Sequence, residues 1–210
     1  MIDRMSEVGA PLRLMFFDRT CRGTGMLPGL SAAWTAGGIL YGALRRIDDW
    51  RGVGTWAEGL DFLLDRSAGR TIAEVQFWGH GEYGCAWVEE DKLDITALSP
   101  GHVLHDRLVT LRSRLAPNAL WWFRTCGTFG TQEGHAFARA WTRFLECRAA
   151  GHTHAINFLQ SGLHELAPGA EPTWSTDEGF APNLPMPTGK PSSVLAPHTI
   201  TCLHGAVPRS

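Results

Sequence analysis

Two side chains with chemical potential stand in glycine-flanked turns. One is His80, in Trp78-Gly79-His80-Gly81-Glu82-Tyr83-Gly84, and the other is Cys126, in Thr125-Cys126-Gly127-Thr128-Phe129-Gly130. A free thiol is only slightly ionised at neutral pH, so cysteine chemistry needs a proton acceptor within hydrogen-bond reach. Glycines beside the two residues let the backbone turn sharply and leave N–H groups free to hold an oxyanion. Gly81 and Cys126 are the natural donors. Alone, a cysteine at a strand end is usually packing and a single histidine is usually structural. The pair has meaning only if the fold brings both to one edge.

Other chemistries fit the same residues less well. Gly79 to Gly84 satisfies the dinucleotide pattern GxGxxG, but that pattern needs a helix to start within the loop. The following CAWVEEDKLDI reads instead as a strand and a polar turn. The segment is no nucleophile elbow, because histidine stands where GxSxG has serine. His152 and His154 lie two apart, hence on one face of a strand, and zinc would accept them with His80, His135 or Cys126. Their spacing matches no compact ligand motif, so no metal and no cofactor is expected. His152 and His154 are read as lining the cleft or making ordinary hydrogen bonds.

The elements that must position these residues follow from apolar runs and breakers. Leu12 to Phe17 reads as an interior strand ending in Asp18-Arg19, followed by a glycine-containing loop from Thr20 to Gly29. Leu30 to Arg46 reads as a helix with Ser31 as N-cap and with Leu30, Trp34, Leu40, Leu44 and Ile47 on one face; Gly37-Gly38 weakens it. Asp48 to Gly54 reads as a turn. Trp56 to Ser67 reads as a helix, Thr55 and Glu58 forming its capping box and Gly69 closing it. Thr71 to Trp78 is a second buried strand, and Cys85 to Val88 a short hairpin strand.

Ser99-Pro100 has the form of a helix start, giving a helix to Leu115. Ala116-Pro117-Asn118 breaks it, and Ala119 to Thr125 is a strand. Thr131 to Arg148 is a helix, with Gly151 just beyond it, and His152 to Leu159 a further strand. Residues 168–198 are rich in proline and read as an irregular wrap, ending in a short strand near Thr199 to Leu203. Strands alternating with helices give a mostly parallel sheet, whose ligands bind at the carboxyl ends of the strands. Asp18, Arg19, His80 and Cys126 all fall on that edge.

At this point the chain resembles the caspase-like cysteine peptidases, the caspase, gingipain and clostripain group with its bacterial relatives. In that group a His-Gly pair ends one core strand and the catalytic cysteine ends the next. His80-Gly81 and Cys126 match those positions, and Gly79-His80-Gly81 is similar to the Gly-His-Gly of many bacterial members. The likeness spans residues 12–159. It implies an α/β three-layer sandwich over residues 1–210, with His80 as base, Cys126 as nucleophile, and a peptide or protein substrate. In such enzymes the region of Arg19 contributes to the pocket before the scissile bond, so Arg19 could favour an acidic residue; the plainer reading is a solvated loop arginine. Asp18 could orient His80. Arg124-Thr125-Cys126-Gly127 departs from the Gln-Ala-Cys of caspases, which leaves open both the substrate and an inactive interaction module.

Composition bounds the rest. In 210 residues, 44% are hydrophobic and 19% charged, enough to bury a core. The net charge of −2, with scattered Lys and Arg, offers no footprint for nucleic acid or an anionic membrane. The apolar run near the N-terminus is too short for a signal-peptide core, and no stretch approaches the roughly 18 apolar residues of a membrane span. Cys21, Cys85, Cys126, Cys147 and Cys202 are widely spaced, without a CxxC pair, which favours a reducing cytoplasm.

Overall fold

In the first strand, Leu14 and Phe16 face one side of a sheet while Met15 and Phe17 face the other, and all four are buried. A strand covered on both faces needs a continuous apolar run, not an alternating one. The computed structural model describes residues 9–23, 29–182 and 189–207. In chain order the elements are β1 (Leu12–Asp18), α1 (Leu30–Ala43), β2 (Asp49–Val53), α2 (Trp56–Arg66), β3 (Ile72–Trp78), β4 (His80–Glu82), β5 (Cys85–Val88), β6 (Asp91–Leu93), a 3-10 turn (Ile95–Leu98), α3 (His105–Arg112), β7 (Leu115–Arg124), α4 (Thr131–Leu145), β8 (Arg148–His152), β9 (Leu159–Gln160), β10 (Leu163–Leu166) and β11 (Ile200–Thr201).

Six strands form the central sheet in the order β10-β8-β7-β3-β1-β2. Every neighbouring pair is parallel except β8 with β10. Helices α2, α3 and α4 supply Trp56, Leu60, Leu108, Phe137 and Trp141 to the core under Phe16, Phe77 and Phe123. Helix α1 covers the other face, where Tyr41 and Trp34 pack with Met15, Phe17 and Trp78. The result is a mixed α/β fold with helices on both faces, an arrangement compatible with three layers. Strands β4, β5 and β6 make a small antiparallel sheet, and β9 pairs with β11.

Several elements differ from the sequence reading. Gly29, not Ser31, is the N-cap of α1; the Ser31 hydroxyl donates instead to Cys21 O at 2.8 Å. Leu30, Leu40 and Leu44 are exposed, and the seated face is Trp34, Gly37, Gly38 and Tyr41. A Cβ on Gly37 would stand 2.6 Å from the Trp78 ring, and one on Gly38 would stand 2.7 Å from Trp50. The glycines that weaken the helix are therefore what lets it lie close to the sheet.

Asp49–Val53 is not a turn but the parallel edge strand, half-exposed and hence polar. The helix expected from Ser99 to Leu115 is only His105–Arg112, preceded by the 3-10 turn. Leu115 to Asn118 joins β7 through a register irregularity: Ile72 pairs with Leu115, whereas Glu74 pairs with Leu120. The strand expected at 152–159 lies earlier, at Arg148–His152. The Pro-rich wrap carries no named helix or strand among its described residues before β11; 183–188 lie outside them.

Candidate functional site

Strands β3 and β7 are neighbours, and their last registered pair is Trp78 with Arg124. His80 and Cys126 each stand two residues beyond that pair, at the carboxyl edge of the sheet. Beyond Trp78 the chain turns into the β4–β5 hairpin, where His80 faces Trp87 across the ladder. Beyond Arg124 it enters the loop from Thr125 to Gly130 that leads into α4. Gly127 has φ +62°, a conformation that glycine adopts without strain.

The two turns touch. A Cβ on Gly81 would lie 2.7 Å from Cys126 O, so only glycine permits the approach. Thr128 clamps the contact: its hydroxyl is 3.1 Å from Cys85 O and 2.6 Å from the Thr125 hydroxyl. Gly84 N–H donates to Thr128 O at 3.1 Å. On the opposite side the end of β8 holds the same loop. Gly127 N–H donates to His154 O at 3.1 Å, and Phe129 N–H donates to His152 O at 3.0 Å. The cysteine loop is thus wedged between the hairpin that carries His80 and the segment after β8.

The side chains at the tips are arranged differently from a formed dyad. Cys126 is half-buried, and its Sγ accepts a hydrogen bond from Ile156 N–H at 3.3 Å. Burial pushes the Cys126 thiol pKa up, and the Ile156 N–H opposes this only in part. The exposed His80 places Nε2 3.3 Å from Cys21 Sγ, with the Trp34 ring edge-on at 5.9 Å between centroids. Among the described residues, Cys21 is the only side-chain hydrogen-bond partner of His80.

The remaining expected residues fall around this centre. Arg19 lies on the edge, but its guanidinium is engaged by Glu58, with Nη1 to Oε2 at 2.8 Å. Asp18 does not orient His80: its carboxylate accepts from Thr20 N–H at 2.7 Å and from Glu89 N–H at 3.1 Å, tying the first loop to the β5–β6 turn. His152 is fully buried with Nδ1 3.1 Å from Ser161 O, and burial depresses its pKa to about 3. His154 is buried beside the Thr153 hydroxyl, with Nδ1 at 2.9 Å. Their backbone carbonyls, not their rings, serve the cysteine loop.

Cys21, Thr128 and Ile156 belong to the site but escaped the sequence reading. Thr128 carried a signal, lying between the two glycines that follow Cys126. Cys21 and Ile156 carried none, because their contacts are long-range. Among the described residues no group of three or more His, Cys, Asp or Glu side chains could hold a metal ion, and no helix is long and apolar enough to cross a membrane. No protein-family model matches the chain, and a search of curated proteins finds no match.

Proposed function

We propose that the chain is a cysteine-dependent hydrolase of the caspase-like kind, most specifically an endopeptidase acting on a peptide or protein. The observation that carries this reading is the register: His80 and Cys126 stand at equal distance beyond the paired ends of adjacent parallel strands, and Gly81 packs on the Cys126 backbone. Cys126 Sγ attacks the scissile carbonyl carbon while His80 takes the thiol proton. Gly81 and Cys126 N–H groups hold the oxyanion. His80 then gives its proton to the leaving amine, and water hydrolyses the thioester with His80 as base.

His80 must turn from Cys21 and Cys126 must leave Ile156 for this to occur; such sites are often loose before substrate binds. Arg19 contributes to substrate choice only by leaving Glu58. A reducing cytoplasm suits five cysteines, all free in this structure. One observation favours a second reading, an interaction module with an inactive site: both partners of the dyad are occupied elsewhere, and the Cys126 thiol is pushed toward its neutral form.

Profiling of a peptide library by mass spectrometry separates the two. The hydrolase reading expects defined cleavage products that vanish in Cys126→Ala while its circular dichroism matches the parent. Absence of cleavage by the parent chain supports the module instead, and cleavage that persists in Cys126→Ala removes Cys126 as the nucleophile.

A further inference from the structure

Of the five cysteines, four are poorly placed to react or lack a base. Cys85 and Cys147 are buried, and burial raises both pKa values, that of Cys147 to about 12. Cys126 is raised in the same way and bonded to Ile156. Cys202 is half-exposed but has no imidazole partner among the described residues. Cys21 is also half-exposed, and its Sγ lies 3.3 Å from His80 Nε2. The contact is built, not incidental, on both sides. The Cys21 carbonyl is fixed by Ser31 N–H at 3.2 Å and by the Ser31 hydroxyl. His80 is fixed at the first position of β4, with Trp34 of α1 against its ring.

We infer that Cys21 is a second functional thiol: a modification site for small soft electrophiles, activated by His80, that also holds His80 away from Cys126. The imidazole accepts the Cys21 proton, and the thiolate left beside it is the nucleophilic form. With iodoacetamide the S–C bond forms as the C–I bond breaks, iodide leaves with the electron pair, and the proton passes from His80 to water. One base serves two thiols. The competition with Cys126 rests on the hydrolase reading; the reactivity of Cys21 does not.

The test is site-resolved labelling of the full chain with limiting iodoacetamide, read by peptide mass spectrometry without any substrate. Cys21 is expected to react about tenfold faster than Cys202, which has similar exposure but no imidazole within hydrogen-bond reach, because His80 takes the proton as the S–C bond forms. In His80→Gln the Cys21 rate should fall to about that of Cys202. Continued protection of Cys85 and Cys147 verifies that the variant is folded, and His80→Asn substitutes for it if they become labelled. Equal rates at Cys21 and Cys202 in the parent, or a Cys21 rate indifferent to His80, overturns the proposal. A chain that cleaves no peptide yet labels Cys21 in this pattern loses the hydrolase reading and keeps the reactive thiol.

Discussion

His152 shows how differently two histidines of one fold can be used. His80 is exposed and faces a thiol, whereas His152 sits under the sheet end with its Nδ1 on Ser161 O and its pKa held at about 3 by burial. A histidine kept neutral by the fold charges more readily when the chain unfolds. Between pH 3 and 6.5 the unfolded state therefore binds the extra proton, and stability present above the ordinary histidine pKa is lost as pH falls below it. Urea denaturation should show a loss of about 2 kcal/mol between pH 7 and pH 5 from this residue. His154 and His164 are depressed in the same direction, chiefly by burial, and add to the slope. His152→Asn, which keeps a donor for Ser161 O, should flatten the slope; an unchanged slope would deny His152 this role.

At the scale of elements, close approach decides more than propensity. Gly38→Ala improves helix propensity by about 1 kcal/mol but drives a methyl into Trp50, so net destabilisation of about 1–3 kcal/mol is expected from thermal unfolding. Gly81→Ala pushes the hairpin off the Cys126 carbonyl and, under the proposed hydrolase function, should lower kcat about 100-fold, as misplacement near 1 Å does. A stabilised Gly38→Ala, or a fully active Gly81→Ala, would contradict the packing described. The interior strands were legible from the apolar run Leu14 to Phe17 in β1, buried on both faces, and from the β-branched and aromatic residues of Thr71 to Trp78 between Gly69 and Gly79, although Glu74 and Gln76 interrupt the latter. The edge strands were not. Asp49–Val53 and Leu163–Leu166 are half-exposed and carry charge, so they look like loops and turns. The positions of His80 and Cys126 could be read because strand ends fix them. Their present partners could not, because Cys21 lies 59 positions before His80 and Ile156 lies 30 beyond Cys126.

Across the whole molecule, Arg124 joins the site-bearing strand to the end of the described chain. Its side chain is 2% exposed and lies between the Trp78 and Trp122 rings, 4.6 and 4.3 Å from their centroids. It donates to Gln160 Oε1, Tyr41 Oη and Cys202 O, all within 2.8–2.9 Å, and Arg46 donates to Leu203 O beside it. The guanidinium thus fastens the segment after β11 across the sheet, on the face that α1 also covers. Arg124→Met strands these acceptors and should cost about 1–3 kcal/mol in denaturant unfolding, with faster amide exchange at Ile200 and Thr201. Arg124→Lys should rescue little, since an ammonium neither stacks between two indoles nor spans the same acceptors. Unchanged exchange in Arg124→Met would show that the segment is held by other contacts.

The proposed joint action of His80 and Cys126 is tested most directly by turnover of a cleaved peptide in the parent, Cys126→Ala, His80→Ala and the double variant. Residues that act as one unit give losses that do not add, so each single change should lower kcat about as far as both together, by about 1,000-fold or more. Losses that multiply in the double variant, or a single variant that retains parental turnover, would contradict the account.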